Sequence, residues 1–207
     1  MSDSTTDDAL DTRERMMLAT LRVLGDHGYA GLSIQRIADE ADLSKSSFYH
    51  FFDDKDDLLL SFLDFMLARY GLPFEQESPD GPKAELDAYL AFALDGVTGD
   101  IVIPLDDFDP GSGRPYVALR SQATFDDDYR GRFTDIDANI HDRLADVIER
   151  GIDQGVFRDV DVHATTELIM SVMLGSLFRR ATSDQVDVDA VRTQLDTVLE
   201  SHLYADD

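Results

Sequence analysis

The chain has 207 residues, 43% of them apolar, enough to fill a core in one large domain or in a small domain joined to a larger one. It holds no cysteine, which excludes disulfide frameworks, thiol nucleophiles and thiolate metal sites. Its 43 acids and 18 bases give a net charge of -25; no apolar run reaches a membrane span of roughly 18 residues, and the acidic start lacks a secretory leader's basic region, so a cytoplasmic protein with no membrane partner is expected.

Residues 1–11 carry Ser2, Ser4, Thr5, Thr6 and four aspartates without apolar periodicity and read as a disordered tail. From Thr12 the pattern turns helical, with Met17, Leu21 and Leu24 on one face of a first helix that ends near Gly25 to Gly28. Ser33 stands where an N-cap belongs, and Ile34, Ile37, Ala38 and Ala41 follow at the spacing of a short second helix running to about Glu40. Asp42 and Leu43 make a turn. Ser44 caps a third helix over 44–51, in which Phe48, Phe51 and Phe52 are expected to face inward while Lys45, Ser46, Ser47, Tyr49 and His50 lie on the other side.

Aspartates 53, 54, 56 and 57 suit the dipole at the start of a fourth helix, which Leu58, Leu59, Phe62, Phe65, Met66 and Tyr70 carry to a break at 71–73. Further helices are predicted at about 83–95, 114–124, 126–154, 163–181 and 187–204, separated by segments rich in Gly, Pro and Asp. The run 101–103 is too short to seed a sheet, and there is no internal repeat. The expected architecture is all-α, with about nine helices: a tail (1–11), a three-helix DNA-binding domain (12–60) and a helical ligand-binding and dimerisation domain (61–207).

Three short helices, the second and third joined by a tight turn, form a helix-turn-helix whose third helix can enter the DNA major groove. Between Leu43 and Phe52 the only charged residue is Lys45, an acid-free stretch in a chain where about one residue in five is acidic. Lys45, Arg36 and Lys55 are candidate phosphate contacts, with the Tyr49 hydroxyl as a further donor. Gln35, Ser46, Ser47 and His50 are candidates for the base-facing side, and Ser33 and Ser44 mark helix N-termini, which favour phosphate.

The run Leu32-Ser33-Ile34-Gln35-Arg36-Ile37-Ala38, then Ala41-Asp42-Leu43-Ser44-Lys45-Ser46-Ser47-Phe48-Tyr49-His50-Phe51-Phe52, then Lys55 and Leu58, resembles the DNA-binding domain of the TetR family. That resemblance implies a homodimer on double-stranded operator DNA, a C-terminal domain that binds a small effector, and repression relieved by it; no cofactor is implied. By position, Tyr49 and Lys55 would contact phosphates, and Lys45 to Ser47 with His50 would face the groove. Two departures stand out: Asp42 occupies a usual glycine position, and Ser46 a frequent one. Aspartate tolerates the left-handed turn geometry, but its carboxylate beside DNA is a cost.

Aspartate outnumbers glutamate 35 to 8 and arginine outnumbers lysine 15 to 3, evenly along the chain. This resembles the proteins of haloarchaea, in which short hydrated carboxylates keep a protein solvated in molar salt. The acidity then reports the solvent and not the partner. Residues 1–60 hold 6 bases and 13 acids, a net of -7. Four phosphate contacts would give a log-log salt slope near -3.6. Purely electrostatic binding of that kind fails in a halophile, so affinity resting on base-edge, apolar and cation-mediated contacts, with a shallow salt dependence, is expected.

In the C-terminal domain the stretch 116–161 is loosely similar to BetI-like and AcrR-like members. An effector pocket of apolar or amphipathic character is expected from Phe62, Met66, Tyr70, Tyr89, Phe92 and Tyr116, with Phe133, Ile140 and Met173. Arg120, Asn139, His141 and Arg143 are its polar candidates; a buried arginine there would suggest an anionic or acyl-carboxylate ligand. Met170, Leu174, Leu177 and Phe178, with Val191, Leu195, Val198 and His202, form stripes suited to a four-helix dimer interface. The plainer reading buries those stripes inside one subunit.

An enzyme finds no support, since the five histidines show no HExxH spacing, there is no Gly-x-Ser-x-Gly elbow, and the 107–111 acidic run lacks the twelfth-position acid of a calcium loop. A TetR-like sensor that has lost DNA binding and acts through a protein partner is the alternative that the local acidity suggests.

Overall fold

Aspartate starts helix after helix in this chain. The Asp11 carboxylate accepts the Glu14 N–H at 2.8 Å and opens α1, Thr12–Gly31, which kinks at Gly28, where φ is 64°. The same device opens three later helices: Asp126 before Asp127–Asp153, Asp161 before Val162–Thr182 and Asp187 before Val188–His202 each accept a backbone N–H of the first turn. A short carboxylate reaches the orphan N–H groups and suits the dipole, so the aspartate excess also serves local structure.

The structure is a computed structural model and describes residues 11–70, 78, 80–95 and 113–205, except the side chains of 67–70 and 95. Within them the regular elements are helices: α1, α2 (Ile34–Glu40), α3 (Lys45–Phe51), α4 (Lys55–Tyr70), α5 (Pro82–Asp95), α6 (Arg114–Arg120) with a 3-10 turn at Ser121–Thr124, α7 (Asp127–Asp153), α8 (Val162–Thr182) and α9 (Val188–His202). The expected all-α class is what is found. Two compact units divide the chain, Met1–Ala68 and Arg69–Asp207. The tail over 1–10, the break at 71–73 and the runs 101–103 and 107–111 lie outside the described residues.

The first unit buries Met16, Met17, Leu21 and Leu24 of α1 with Ile37, Ala38, Phe48, Phe52, Leu58 and Phe62. One expectation fails here: Phe51 does not face inward but is 41% exposed. Phe48 fills the inner face of the two-turn helix, and the next aromatic to enter the core, Phe52, does so by leaving the helix for extended backbone. α4 runs unbroken through residue 60, where the sequence reading divides the domains.

In the second unit Leu86, Tyr89 and Leu90 of α5, Leu144, Val147 and Ile148 of α7, Ile169 of α8 and Leu199 of α9 share one core. The chain closes on itself at its end: Phe157 and Tyr204 form an antiparallel bridge with stacked rings, and the Phe157 ring sits where a Cβ on Gly151 would come within 2.0 Å. A buried ion pair ties α5 to α7, Glu85 at 5% side-chain exposure meeting Arg150 at 2.9 Å.

Candidate nucleic-acid interface

The turn between α2 and α3 is held from several sides. The Leu43 N–H donates to Ala38 O at 2.8 Å, and Asp42 adopts φ 53°, the left-handed geometry that an aspartate tolerates. Arg15 of α1 donates to the Ala41 carbonyl at 2.5 Å and so fixes the turn against the first helix. No spacing rule in the sequence singles out Arg15; the contact spans 26 residues.

Both short helices carry their predicted caps. Ser33 Oγ accepts from the Arg36 N–H at 3.3 Å, and Ser44 Oγ accepts from the Ser47 N–H at 3.1 Å. Ser44 also shares hydrogen bonds with the Ser46 and Ser47 hydroxyls at 2.7 and 2.9 Å. Of the α3 side chains, Lys45, Ser46, Tyr49 and His50 are exposed, while Ser47 is half-buried. Tyr49 is 58% exposed and braced edge-on by the buried Phe48, so its ring is positioned without being covered. Thus the face that α3 offers to solvent bears one positive charge and no acid.

The other candidate cations are anchored. Arg36 donates to the Gly31 carbonyl at 2.5 Å, and Gln35 donates to Asp39 at 2.5 Å. Lys55 Nζ lies 4.0 Å from the centre of the Tyr29 ring, whose hydroxyl donates to Asp56 at 3.3 Å. The aspartates around Lys55 have local work: Asp54 accepts from the Asp56 and Asp57 N–H groups, and Asp57 accepts from the Asp53 N–H. They close the start of α4.

Residues 17–62 match the model of bacterial regulatory proteins of the tetR family, and residues 99–204 match the BetI-type transcriptional repressor C-terminal model. A TetR transcription regulator from Haloarcula marismortui ATCC 43049 is 33% identical, with 93% of this chain and 98% of that one covered and a TM-score of 0.79. The chain belongs to the TetR family. The HTH-type transcriptional repressor AcnR of Corynebacterium efficiens is 25% identical over 88% of each chain. A TetR-family regulator from Cytophaga hutchinsonii shares the fold over the full length of both chains, with 21% identity and a TM-score of 0.75.

These relatives are transcriptional regulators and not enzymes, so this TetR-family chain is a DNA-binding regulator, and a sensor that has lost DNA binding is not favoured. Among its described residues no helix is long and apolar enough to cross a membrane.

In the second unit of this TetR-family protein the effector candidates are dispersed. Tyr89 and Met173 are buried in the core, with Ile140 packed against it; Phe92 is half-buried. Tyr116 meets Phe133 edge-on at 5.4 Å, and Arg120 lies over both rings. That arginine is already neutralised: it grips Asp137 through two bonds at 2.9 and 2.5 Å and donates to the Tyr116 hydroxyl at 2.8 Å. The Asp137 hydrogen bond raises the Arg120 pKa, and burial raises that of Tyr116. Arg120 therefore offers no uncompensated charge to an anionic ligand. Asn139 points to solvent and donates to the Asp135 carbonyl, while Arg143 lies beside Tyr89. Phe62 and Met66 belong to the first unit, and the Tyr70 side chain is outside the described residues.

The dimer candidates divide. Met170 and Leu195 are buried within the subunit at 8% and 5% exposure, as the plainer reading has it; Leu174, Leu177, Val191 and Val198 are half-buried, and Phe178 and His202 are exposed. The exposed face of α8 is instead Ala164, Leu168, Ser171, Gly175, Phe178 and Thr182, spaced at threes and fours. On α9, Ala190, Gln194, Thr197 and Ser201 are exposed at the same spacing. Glu167 and Arg179 border the α8 stripe and Glu200 that of α9, so each stripe is small and largely uncharged along its centre, in a chain that carries 43 acids. Choosing apolar residues from sequence finds the side of a helix that its own subunit covers; the outer stripe, built largely of small residues, lacks that signal.

Proposed function

We propose that this regulator is a repressor which docks α3 in the major groove of an operator and is released by a small apolar or amphipathic effector. The observation that carries it is the solvent face of α3, where Lys45, Ser46, Tyr49 and His50 stand free of acid on a helix fixed by its caps and by Arg15. Residues 12–60 would form the DNA-binding domain, and 61–207 would take the effector and dimerise. Tyr49, Lys45 and Lys55 would hold phosphates, while Ser46 and His50 would reach base edges, with the exposed Phe51 available to thymine methyls. Ser33, Ser44 and Ser47 would act through the helix starts that they cap, and Gln35 and Arg36 would flank the groove.

Homodimerisation would use the outer stripes of small residues on α8 and α9, which support close approach of two copies. Tyr89, Phe92, Tyr116, Phe133 and Met173 would line the effector site, with Arg143 as its polar group. The aspartate-rich composition supports a halophilic source and a shallow salt dependence of DNA binding. Replacing Tyr49 with Ala tests the reading: operator binding should weaken by about 1–3 kcal/mol with an unchanged melting temperature. Undiminished binding by a folded Tyr49→Ala variant would overturn the placement of α3.

A further inference from the structure

The second unit holds a side-chain cluster that DNA recognition does not use. His163 and Glu167 lie one turn apart on the same face of α8, and His141 of α7 faces them. His141 Nε2 is 3.1 Å from His163 Nδ1 and 3.9 Å from Glu167 Oε1, and one ligand atom from each of the three lies within 4.8 Å of the others. On the opposite edge of its ring, His141 Nδ1 is 3.6 Å from the Asp142 carboxylate.

We propose that His141, His163 and Glu167 form a binding site for a divalent transition-metal ion of the zinc class. Metal–nitrogen bonds of about 2.0–2.1 Å set two tetrahedral ligands about 3.3 Å apart, so the two ring nitrogens already stand at chelating separation. The Glu167 oxygen must approach His141 Nε2 by about half an ångström and the His163 nitrogen by at most about 1.5 Å, a rotamer adjustment open to a side chain that is 58% exposed. Asp142, 3.6 Å from Nδ1, lies just beyond hydrogen-bond distance; a rotamer change would let its carboxylate accept from Nδ1–H and turn the Nε2 lone pair toward the ion. Two imidazoles and one carboxylate select zinc-class ions over magnesium or calcium, which prefer oxygen ligands. Solvent water completes the coordination. The ion would clamp the first turns of α8 to the middle of α7, and with them the start of the outer stripe through Leu168.

The bland alternative is an ordinary hydrogen bond between two rings, with cations gathered loosely by a surface of charge -25. Calorimetric titration of the full chain with zinc chloride, in molar KCl and excess magnesium, separates the two, because salt screens diffuse attraction and magnesium occupies carboxylates. One zinc per chain is expected, with affinity falling more than about tenfold in His163→Ala and His141→Ala. Glu167→Gln, with its helix-compatible side chain, provides a weakened variant should a histidine variant fail to fold. Cobalt(II) should give the visible bands of a four-coordinate site in the wild type and lose them in His163→Ala. Absence of zinc binding in magnesium, or equal binding by the folded variants, overturns the proposal.

Discussion

Lys45 offers the sharpest test of how so acidic a protein holds DNA. Residues 1–60 contain six bases, and three are committed elsewhere: Arg15 to the α2–α3 turn, Arg22 to Glu40 at 3.2 Å, and Arg13 over the Phe52 ring at 5.8 Å. Arg36, Lys45 and Lys55 remain as the candidate phosphate contacts, at most three for each DNA-binding unit. Counterion release from three phosphates gives a slope of log affinity against log salt near -2.7, or about a 500-fold loss per tenfold rise in KCl. Lys45→Ala should reduce the slope to about -1.8 and the loss to about 60-fold for each unit. With a labelled duplex selected from a random pool by the wild-type protein, anisotropy titrations across a KCl series read both slopes. Parallel slopes would show that Lys45 meets no phosphate. A loss that varied with the operator base sequence would make it a base reader instead, and the ledger of three cations would fail.

Arg150→Ala would strand the Glu85 carboxylate in a site of 5% exposure, and should lower unfolding stability in a denaturant titration by about 3 kcal/mol. The double variant Glu85→Leu with Arg150→Met should recover most of that loss; if it does not, packing and not charge explains the cost. In Gly151→Ala the new methyl would meet the Phe157 ring at 2.0 Å, so overpacking should cost about 1–3 kcal/mol and lower the melting temperature; an unchanged melting point would refute the close packing of Phe157 on α7. Burial raises the phenol pKa of Tyr89 and of Tyr204, where Asp87 adds to the effect. The folded state therefore keeps protons that the unfolded chain gives up near pH 10, and stability should fall above that pH by up to about 1.4 kcal/mol per pH unit for each tyrosine. Tyr204→Phe should flatten the decline, as read by unfolding titrations at rising pH, and an equal slope in the variant would count against it.

The helices were legible because their signals are local. Caps at Ser33 and Ser44, apolar spacing, and the Asp42 turn each act within a few residues, and the predicted helices over 83–95, 126–154 and 163–181 lie within a residue or two of α5, α7 and α8. The solvent-facing side of α3 was legible for a further reason: an acid-free window is conspicuous in a chain so rich in carboxylates. Sequence therefore determined the all-α class, the helix-turn-helix and the family to which it belongs.

Only tertiary structure decided which atoms those helices bring together. It turned Phe51 outward, set Arg15 on the Ala41 carbonyl, satisfied Arg120 with Asp137, moved the free face of α8 to the stripe through Leu168 and Phe178, and placed His141 beside His163. Each of these depends on contacts between residues distant in the chain or on the choice of which helix face a neighbour covers. Hydrophobic periodicity shows that a helix has a buried side; packing selects it, because an amphipathic segment with apolar residues on more than one face satisfies several arrangements equally well in sequence and only one in space.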